Sequence, residues 1–334
     1  MDSGDRILVA AGLTAAVVVG AFVLWGPGGA PRVRKRRGQI AGLQNLGRTC
    51  FLNTLLQALA ACPSFIEWLK KYSRPDINNS MITTLYTVID VVNGTHPSAR
   101  GTPVCPLGVF QALRGAGWVV PEDQQDAHEL LHVLISCIEE ETQPGCLSDA
   151  LGLVDRAWSA LASPASPPSS ITHNSGRAAS ITNQLQLQPP PRPASLPTCL
   201  VLHIGRVQWS HGGLTKRSEF VSFPEHLSLA PYTDQPIPKL DLMSVVNGPD
   251  LRSGVSLLNR GVISAEKCLY TLVAAVVHVG GPKSGHFATY RRGNGFESQR
   301  WWYTSDTWVH EVSLSEVLRC AAYMLFYEKQ SINT

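Results

Sequence analysis

Between residues 149 and 197 the chain runs through Ser, Pro, Ala and Gln, with Pro189, Pro190 and Pro191 in succession and few large apolar residues. Such a stretch cannot bury enough surface to hold a core and reads as a flexible linker. It separates two halves of different periodicity. In the first half, Ala127, Leu130, Leu131, Leu134, Ile135 and Ile138 recur at helical spacing after Asp126. A second helix fits Phe51 to Ala61, with Pro63 closing it and one apolar face to bury. In the second half, Cys199 to Ile204, Tyr270 to Val279, His286 to Arg291 and Ala321 to Tyr327 are rich in Val, Leu, Tyr and Phe, with glycines between them, and read as strands. Ser313 and Glu316 make a capping-box pattern that starts a short helix before the last strand. Helices followed by an antiparallel sheet give an α+β fold.

Ahead of the helical half, Ile7 to Trp25 carry no charge and only Thr14 is clearly polar. As a helix this run spans ~28 Å, close to the hydrocarbon thickness of a bilayer. A cleaved signal peptide would have a shorter apolar region with positive charge before it, whereas Asp2 and Asp5 precede this one and the basic residues follow. The run reads as a single transmembrane helix. The formal charge of +3 is local, because Arg32, Arg34, Lys35, Arg36 and Arg37 contribute five positive charges and leave about −2 elsewhere. That distribution does not suggest a nucleic-acid partner, and the positive-inside rule places everything after the helix in the cytosol. A glycan on Asn78 or Asn93, each in a sequon, would overturn this orientation. The expected organisation is a tail (1–6), an anchor (7–25), a basic juxtamembrane linker (26–38), a helical unit (39–148), the linker (149–197), a strand unit (198–330) and a tail (331–334).

Eight cysteines are scattered without a C-x-x-C pair, which reads as free thiols in a reducing compartment, with no cysteine-based zinc set and no cofactor. Cys50 stands out because a helix begins at or just after it. The positive end of the helix dipole and its unpaired N–H groups favour a thiolate there and can hold an oxyanion. Gly47 permits a tight turn that lets the Asn45 amide act as a second donor. The best base is His286, between a glycine-rich loop (Gly280, Gly281, Gly285) and a strand. Ser305 and Asp306, at a strand end, are both available to orient its imidazole.

Asn45 to Cys50 resembles the cysteine box of the ubiquitin-specific proteases, and Gly285-His286-Phe287 with Tyr290 resembles their histidine box. Gln125-Asp126-Ala127 with Glu129-Leu130, and Leu196-Pro197 through His203, resemble two further motifs of that family. The resemblance implies a papain-like cysteine protease with a helical thumb and a β palm, hydrolysing the bond after the C-terminal glycine of ubiquitin. It makes Cys50 the nucleophile, His286 the base, Ser305 the orienting residue and Asn45 the oxyanion donor. Gln125, Asp126 and Gly285 would line the channel for the ubiquitin tail, whose arginines suit the Asp126 carboxylate. The anchor, its basic flank and Ser-Asp in the third catalytic place resemble the mitochondrial outer-membrane branch of that family. That likeness implies ubiquitinated outer-membrane proteins as substrates and opposition to mitophagy.

The chain departs from the family where a zinc-bound fingers subdomain normally lies, since the linker occupies that interval. A ubiquitin-binding scaffold without turnover is therefore one rival reading. Another is a zinc protease, because His128-Glu-Leu-Leu-His132 matches H-E-x-x-H. It needs a third ligand, and Ile135 stands where one family of such enzymes has glycine.

Overall fold

The computed structural model describes residues 39–77, 80–99, 101–118, 125–142, 146–147, 150–154, 179–180, 196–210, 213–230, 268–282 and 284–330. The anchor, the basic stretch and most of the linker lie outside them. Among the described residues no single helix is long and apolar enough to cross a membrane.

Five helices come first: α1 (Cys50–Leu59), α2 (Pro63–Tyr72), α3 (Met81–Val92), α4 (Leu107–Gly115) and α5 (Ala127–Glu141). Pro63 does not merely end α1. It opens α2, where its missing N–H costs nothing, and the chain turns by 94° between the two. Asp126 caps α5 by accepting the His128 N–H at 2.8 Å.

Apart from two small two-stranded sheets (Ala179–Ser180 with Val221–Ser222, and Val207–Ser210 with Gly213–Lys216), the strands of the main sheet are β1 (Leu151–Val154), β2 (Cys199–His203), β3 (His226–Ser228), β4 (Leu269–Gly280), β5 (Gly285–Arg292), β6 (Trp301–Ser305), β7 (Trp308–Val312) and β8 (Ala322–Lys329). They form one sheet in the order β1-β2-β8-β4-β5-β6-β7, with β3 also paired to β4. Between β7 and β8 lies the short helix α6 (Leu314–Val317), where Ser313 accepts the Glu316 N–H at 3.3 Å. The Glu316 carboxylate accepts from the Tyr290 hydroxyl at 3.3 Å, so the capping box is one-sided.

Two expectations change here. Leu151–Val154 lies in the segment read as linker, yet it forms a strand running parallel to β2, so the sheet is not purely antiparallel. Four apolar residues at the edge of a polar stretch suffice once a partner strand is present. The helix α1 was expected to bury one face and instead buries all ten residues. Its polar residues tolerate this because the sheet and neighbouring loops satisfy them. Thr54 exchanges hydrogen bonds with Thr289 of β5, Gln57 donates to Ala41 O at 2.8 Å, and Asn53 donates to Asp306 at 2.7 Å.

Alternation along the strands divides the core. Cys199 and Val201 of β2, with Phe287 and Phe326, face the helices, while Leu200 and Leu202, with Tyr270 and Tyr327, pack on the opposite face. The helical layer thereby rests α1 on β5, with Thr54 against Thr289 and Gln57 against Arg291.

Candidate active site

Cys50 is the first residue of α1 and is 3% exposed. The turn before it is organised by Asn45, whose Oδ1 accepts from Gly47 N at 3.0 Å and Thr49 N at 3.1 Å. Gly47 has φ 120°, a left-handed conformation that a side chain would strain. One Nδ2 hydrogen of Asn45 goes to Asp306 Oδ2 at 2.9 Å. The other belongs to an exposed amide beside the cysteine turn.

His286 stands near the start of β5 and is 42% exposed at its side chain. Its Nε2 lies 2.8 Å from Ser305 Oγ. Strand register accounts for this contact: Thr304 pairs with Thr289, which sets Ser305 beside Ala288 and diagonal to His286 on the same face. Asp306 Oδ2 is 4.0 Å from the same nitrogen.

Asp306 does more than stand beside the histidine. Its Oδ1 accepts from Asn53 of α1 at 2.7 Å, its Oδ2 from Asn45, and its carbonyl from Leu43 N at 2.8 Å. It therefore joins the cysteine turn, the cysteine helix and the β6–β7 turn at one point. It also has φ 50°, a region that Asp and Asn tolerate better than most residues. A Cβ on Gly42 would come within 2.6 Å of the Thr307 backbone, so the same junction requires glycine there.

Gln125 and Asp126 line a small, half-open cleft with Val207, His278, Pro282, Ser284, Phe287 and Tyr323. Both Asp126 oxygens are engaged, Oδ1 by the α5 cap and Oδ2 by the Tyr323 hydroxyl. The carboxylate is thus held at the start of the helix. Gly285 borders His278, and a Cβ there would overlap the His278 imidazole.

His278 was not singled out from the sequence, because its strand position looked like ordinary core alternation. Burial, reinforced by the charges of Lys216 and His286 and opposed by Asp126, pushes its pKa down to about 4. A histidine lowered from 6.5 stabilises the fold above pH 6.5, and that contribution is lost as pH falls towards 4. Because the ring is only half-buried, the loss at pH 5 is discounted to about 1 kcal/mol. Urea unfolding at pH 7 and pH 5 should show this drop, and His278→Gln should remove it.

The histidines of the H-E-x-x-H match sit together on α5, with His128 and His132 Nε2 atoms 3.2 Å apart. His128 also stacks on His203 at 3.7 Å between ring centroids. No third ligating group joins the pair among the described residues. The zinc-protease arrangement is not assembled there.

The family description "Ubiquitin carboxyl-terminal hydrolase" matches residues 41–327. The chain is 29% identical to "Ubiquitin carboxyl-terminal hydrolase 30" of Danio rerio, covering 96% of this chain and 91% of that one. It is 28% identical to the Homo sapiens protein of the same name, covering 96% and 90%. The zebrafish alignment runs over 451 positions against 334 residues here, so that relative carries segments without a counterpart in this chain. Among solved structures, the SAGA Ubp8/Sgf11/Sus1/Sgf73 DUB module bound to ubiquitin aldehyde superposes with a TM-score of 0.57 at 19% identity, covering 91% of this chain and 72% of that one. The Ubp8-Sgf11-Sgf73-Sus1 SAGA DUB module gives 0.55 at 20%, covering 90% and 69%. With the papain-like fold described and the family match spanning nearly all of it, the chain belongs to the ubiquitin carboxyl-terminal hydrolase family of cysteine-type hydrolases.

Proposed function

We propose that this chain is a membrane-anchored deubiquitinase that hydrolyses the isopeptide bond after the C-terminal glycine of ubiquitin on mitochondrial outer-membrane proteins, opposing mitophagy. The observation that carries the catalytic reading is the 2.8 Å contact between His286 Nε2 and Ser305 Oγ. It leaves Nδ1 for a thiol, and Cys50 heads a helix packed on the histidine's own strand.

In the reaction Cys50 gives its proton to His286 and attacks the glycine carbonyl carbon. The π pair moves to oxygen, where the second Asn45 N–H and the N–H groups at the start of α1 stabilise it. Collapse breaks the C–N bond, and the imidazolium protonates the departing lysine amine. Water, deprotonated by His286, then hydrolyses the thioester and returns the thiol. Gln125, Asp126 and Gly285 border the path of the ubiquitin tail. The Asp126 carboxylate acts there mainly by fixing Tyr323 and α5.

The roles of Ser305 and Asp306 separate by substitution. Ser305→Ala removes one neutral hydrogen bond to the imidazole. Asp306→Asn keeps the shape and suits the left-handed backbone, yet removes the charge 4.0 Å from the imidazolium and weakens the junction with Asn45 and Asn53. Asp306→Asn should therefore lower kcat/KM by about 10-fold or more and Ser305→Ala by a few-fold, since 1.4 kcal/mol corresponds to about tenfold. Hydrolysis of a fluorogenic ubiquitin amide measures both.

The direct test incubates the full chain in detergent with ubiquitin bearing a C-terminal electrophile, beside Cys50→Ala. A covalent adduct that depends on Cys50 supports the reading. Folded protein without adduct favours the non-catalytic scaffold instead, a reading motivated by the Ser/Pro-rich interval where zinc-binding fingers would lie. The anchor reading rests on the apolar run at 7–25 and its basic flank. It predicts that the full chain stays with mitochondrial outer membranes after alkaline extraction.

A further inference from the structure

At the junction of α1 and α2, between the helices and the sheet, three ligating side chains meet. Cys62 precedes α2, Cys199 begins β2, and Glu328 lies near the end of β8, paired with Cys199 in the sheet register. The two sulfurs and a carboxylate oxygen all lie within 4.8 Å of one another. Both cysteines are fully buried. Glu328 Oε1 accepts the Ser64 N–H at 2.8 Å. Its Oε2 is buried and takes no further hydrogen bond of normal geometry among the described residues, while the Ser64 side chain stands near enough to support the carboxylate charge.

A buried carboxylate oxygen without a donor costs on the order of 1–3 kcal/mol in ordinary proteins, so such groups ask for a partner. Two thiols and a carboxylate are the donor classes that zinc prefers, and three protein donors leave a fourth tetrahedral position for Ser64 Oγ or water.

Charge favours the same occupant. Arg291 is fully buried and its guanidinium is held by neutral acceptors, Gln57 Oε1, Asn93 Oδ1 and Ala60 O, each at 2.8 or 2.9 Å. Cys62 is the group whose negative form supports the Arg291 charge. A divalent cation with two thiolates and one carboxylate carries a net −1, which would complement that guanidinium in a medium of low dielectric.

We propose that Cys62, Cys199 and Glu328 form a site for a zinc-class divalent cation, clamping the cysteine-bearing helices to the sheet. The site is separate from Cys50 and His286. Sequence spacing hid it, because the two cysteines lie far apart in the chain and neither belongs to a close pair.

The test titrates cobalt(II), as a spectroscopic stand-in for zinc, into reduced, metal-free full chain carrying Cys50→Ala, so that the catalytic thiol cannot contribute. One equivalent should give a thiolate-to-cobalt charge-transfer band, displaced by one equivalent of zinc, with release of protons as the thiols ionise. The further variants Cys62→Ser and Cys199→Ser should each weaken the band, and Glu328→Gln should lower cobalt affinity by about 10-fold or more. Cys105→Ser, at an exposed thiol outside the site, should leave it unchanged. If the serine variants do not fold, the parent protein alone decides, through the one-to-one stoichiometry and whether zinc slows alkylation of Cys62 and Cys199 under mild denaturant, where these buried thiols become reactive. No saturable cobalt band, a band that survives loss of both thiols, or metal bound while both thiols remain alkylatable would overturn the proposal.

Discussion

Replacing Arg291 by Met should lower the stability of the protein by about 3 kcal/mol, and its Tm by roughly 10 °C. The side chain is entirely buried at the seam between α1, the end of α3 and β5. Its guanidinium donates to Gln57 Oε1 at 2.9 Å and to Asn93 Oδ1 and Ala60 O at 2.8 Å. Met keeps much of the aliphatic stem but deletes every donor. Ala60 O retains the Asn93 and Asn294 amides, at 3.0 and 3.3 Å, so that acceptor is not orphaned. Gln57 Oε1 and Asn93 Oδ1 lose their charged donor in the interior, and two unsatisfied acceptors at about 1–3 kcal/mol each set the scale. Relief of a buried charge, visible in an Arg291 pKa pushed down to about 9 by burial, offsets part of this. Arg291→Lys should not rescue fully, since one ammonium cannot reproduce a planar fork. Thermal unfolding by circular dichroism checks both variants, and an unchanged Tm for Arg291→Met would refute the argument. The same cluster bears on topology: Asn93 is buried with both amide atoms bonded, so its sequon is not available to a glycosyltransferase in the folded protein.

Gly285→Ala should cost about 100-fold in turnover, the largest catalytic loss short of removing the nucleophile. A Cβ at this position would fall closer than 3.0 Å to both Val279 O and His278 Nε2, nearer than real Cβ atoms come. Neither can give way cheaply, because Val279 pairs with His286 in the β4–β5 ladder and the His278 ring packs on Phe287 at 4.4 Å between centroids. The hairpin must shift instead, carrying the next residue, His286, away from Ser305. A displacement of about 1 Å in a reacting group is enough for roughly 100-fold. The expected pattern is a fall in kcat with secondary structure intact, and normal turnover by a folded Gly285→Ala protein would exclude a tight fit at this glycine. Lys216 pins the same hairpin by donating to His278 O and Gly280 O at 2.8 and 2.9 Å, so the clash is not absorbed by a loose loop.

Much of the framework was legible before any coordinates. The period of the apolar residues located α5, and runs of Val, Leu, Tyr and Phe located the strands β2, β4, β5 and β8 with only their end residues displaced. These signals are local, because helix and strand each impose their own repeat on a side that must be buried. The immediate neighbourhoods of Cys50 and His286 were equally readable, since a helix start and a glycine-flanked strand start are marked by nearby residues. Other features were not. Leu151–Val154 is too short and too close to a polar stretch to announce itself, and only the neighbouring Cys199–His203 strand makes it a strand. The periodicity of α1 marked one face to bury, and the burial of its polar residues Asn53, Thr54 and Gln57 depends on partners outside the helix.

Residue types and periodicity in this chain by themselves determined the α+β order, the helix that begins at Cys50, the strand that begins beside His286 and the Ser-Asp pair at the end of β6. Each follows from short-range sterics, capping and alternation, which adjacent residues control. Only the tertiary structure decided that Ser305 makes the 2.8 Å contact while Asp306 ties the cysteine turn and helix together, that Arg291 is the buried link between helix and sheet, and that Cys62, Cys199 and Glu328 meet. Those are meetings of residues far apart in the chain, and the register of the sheet and the burial of α1 against it select them.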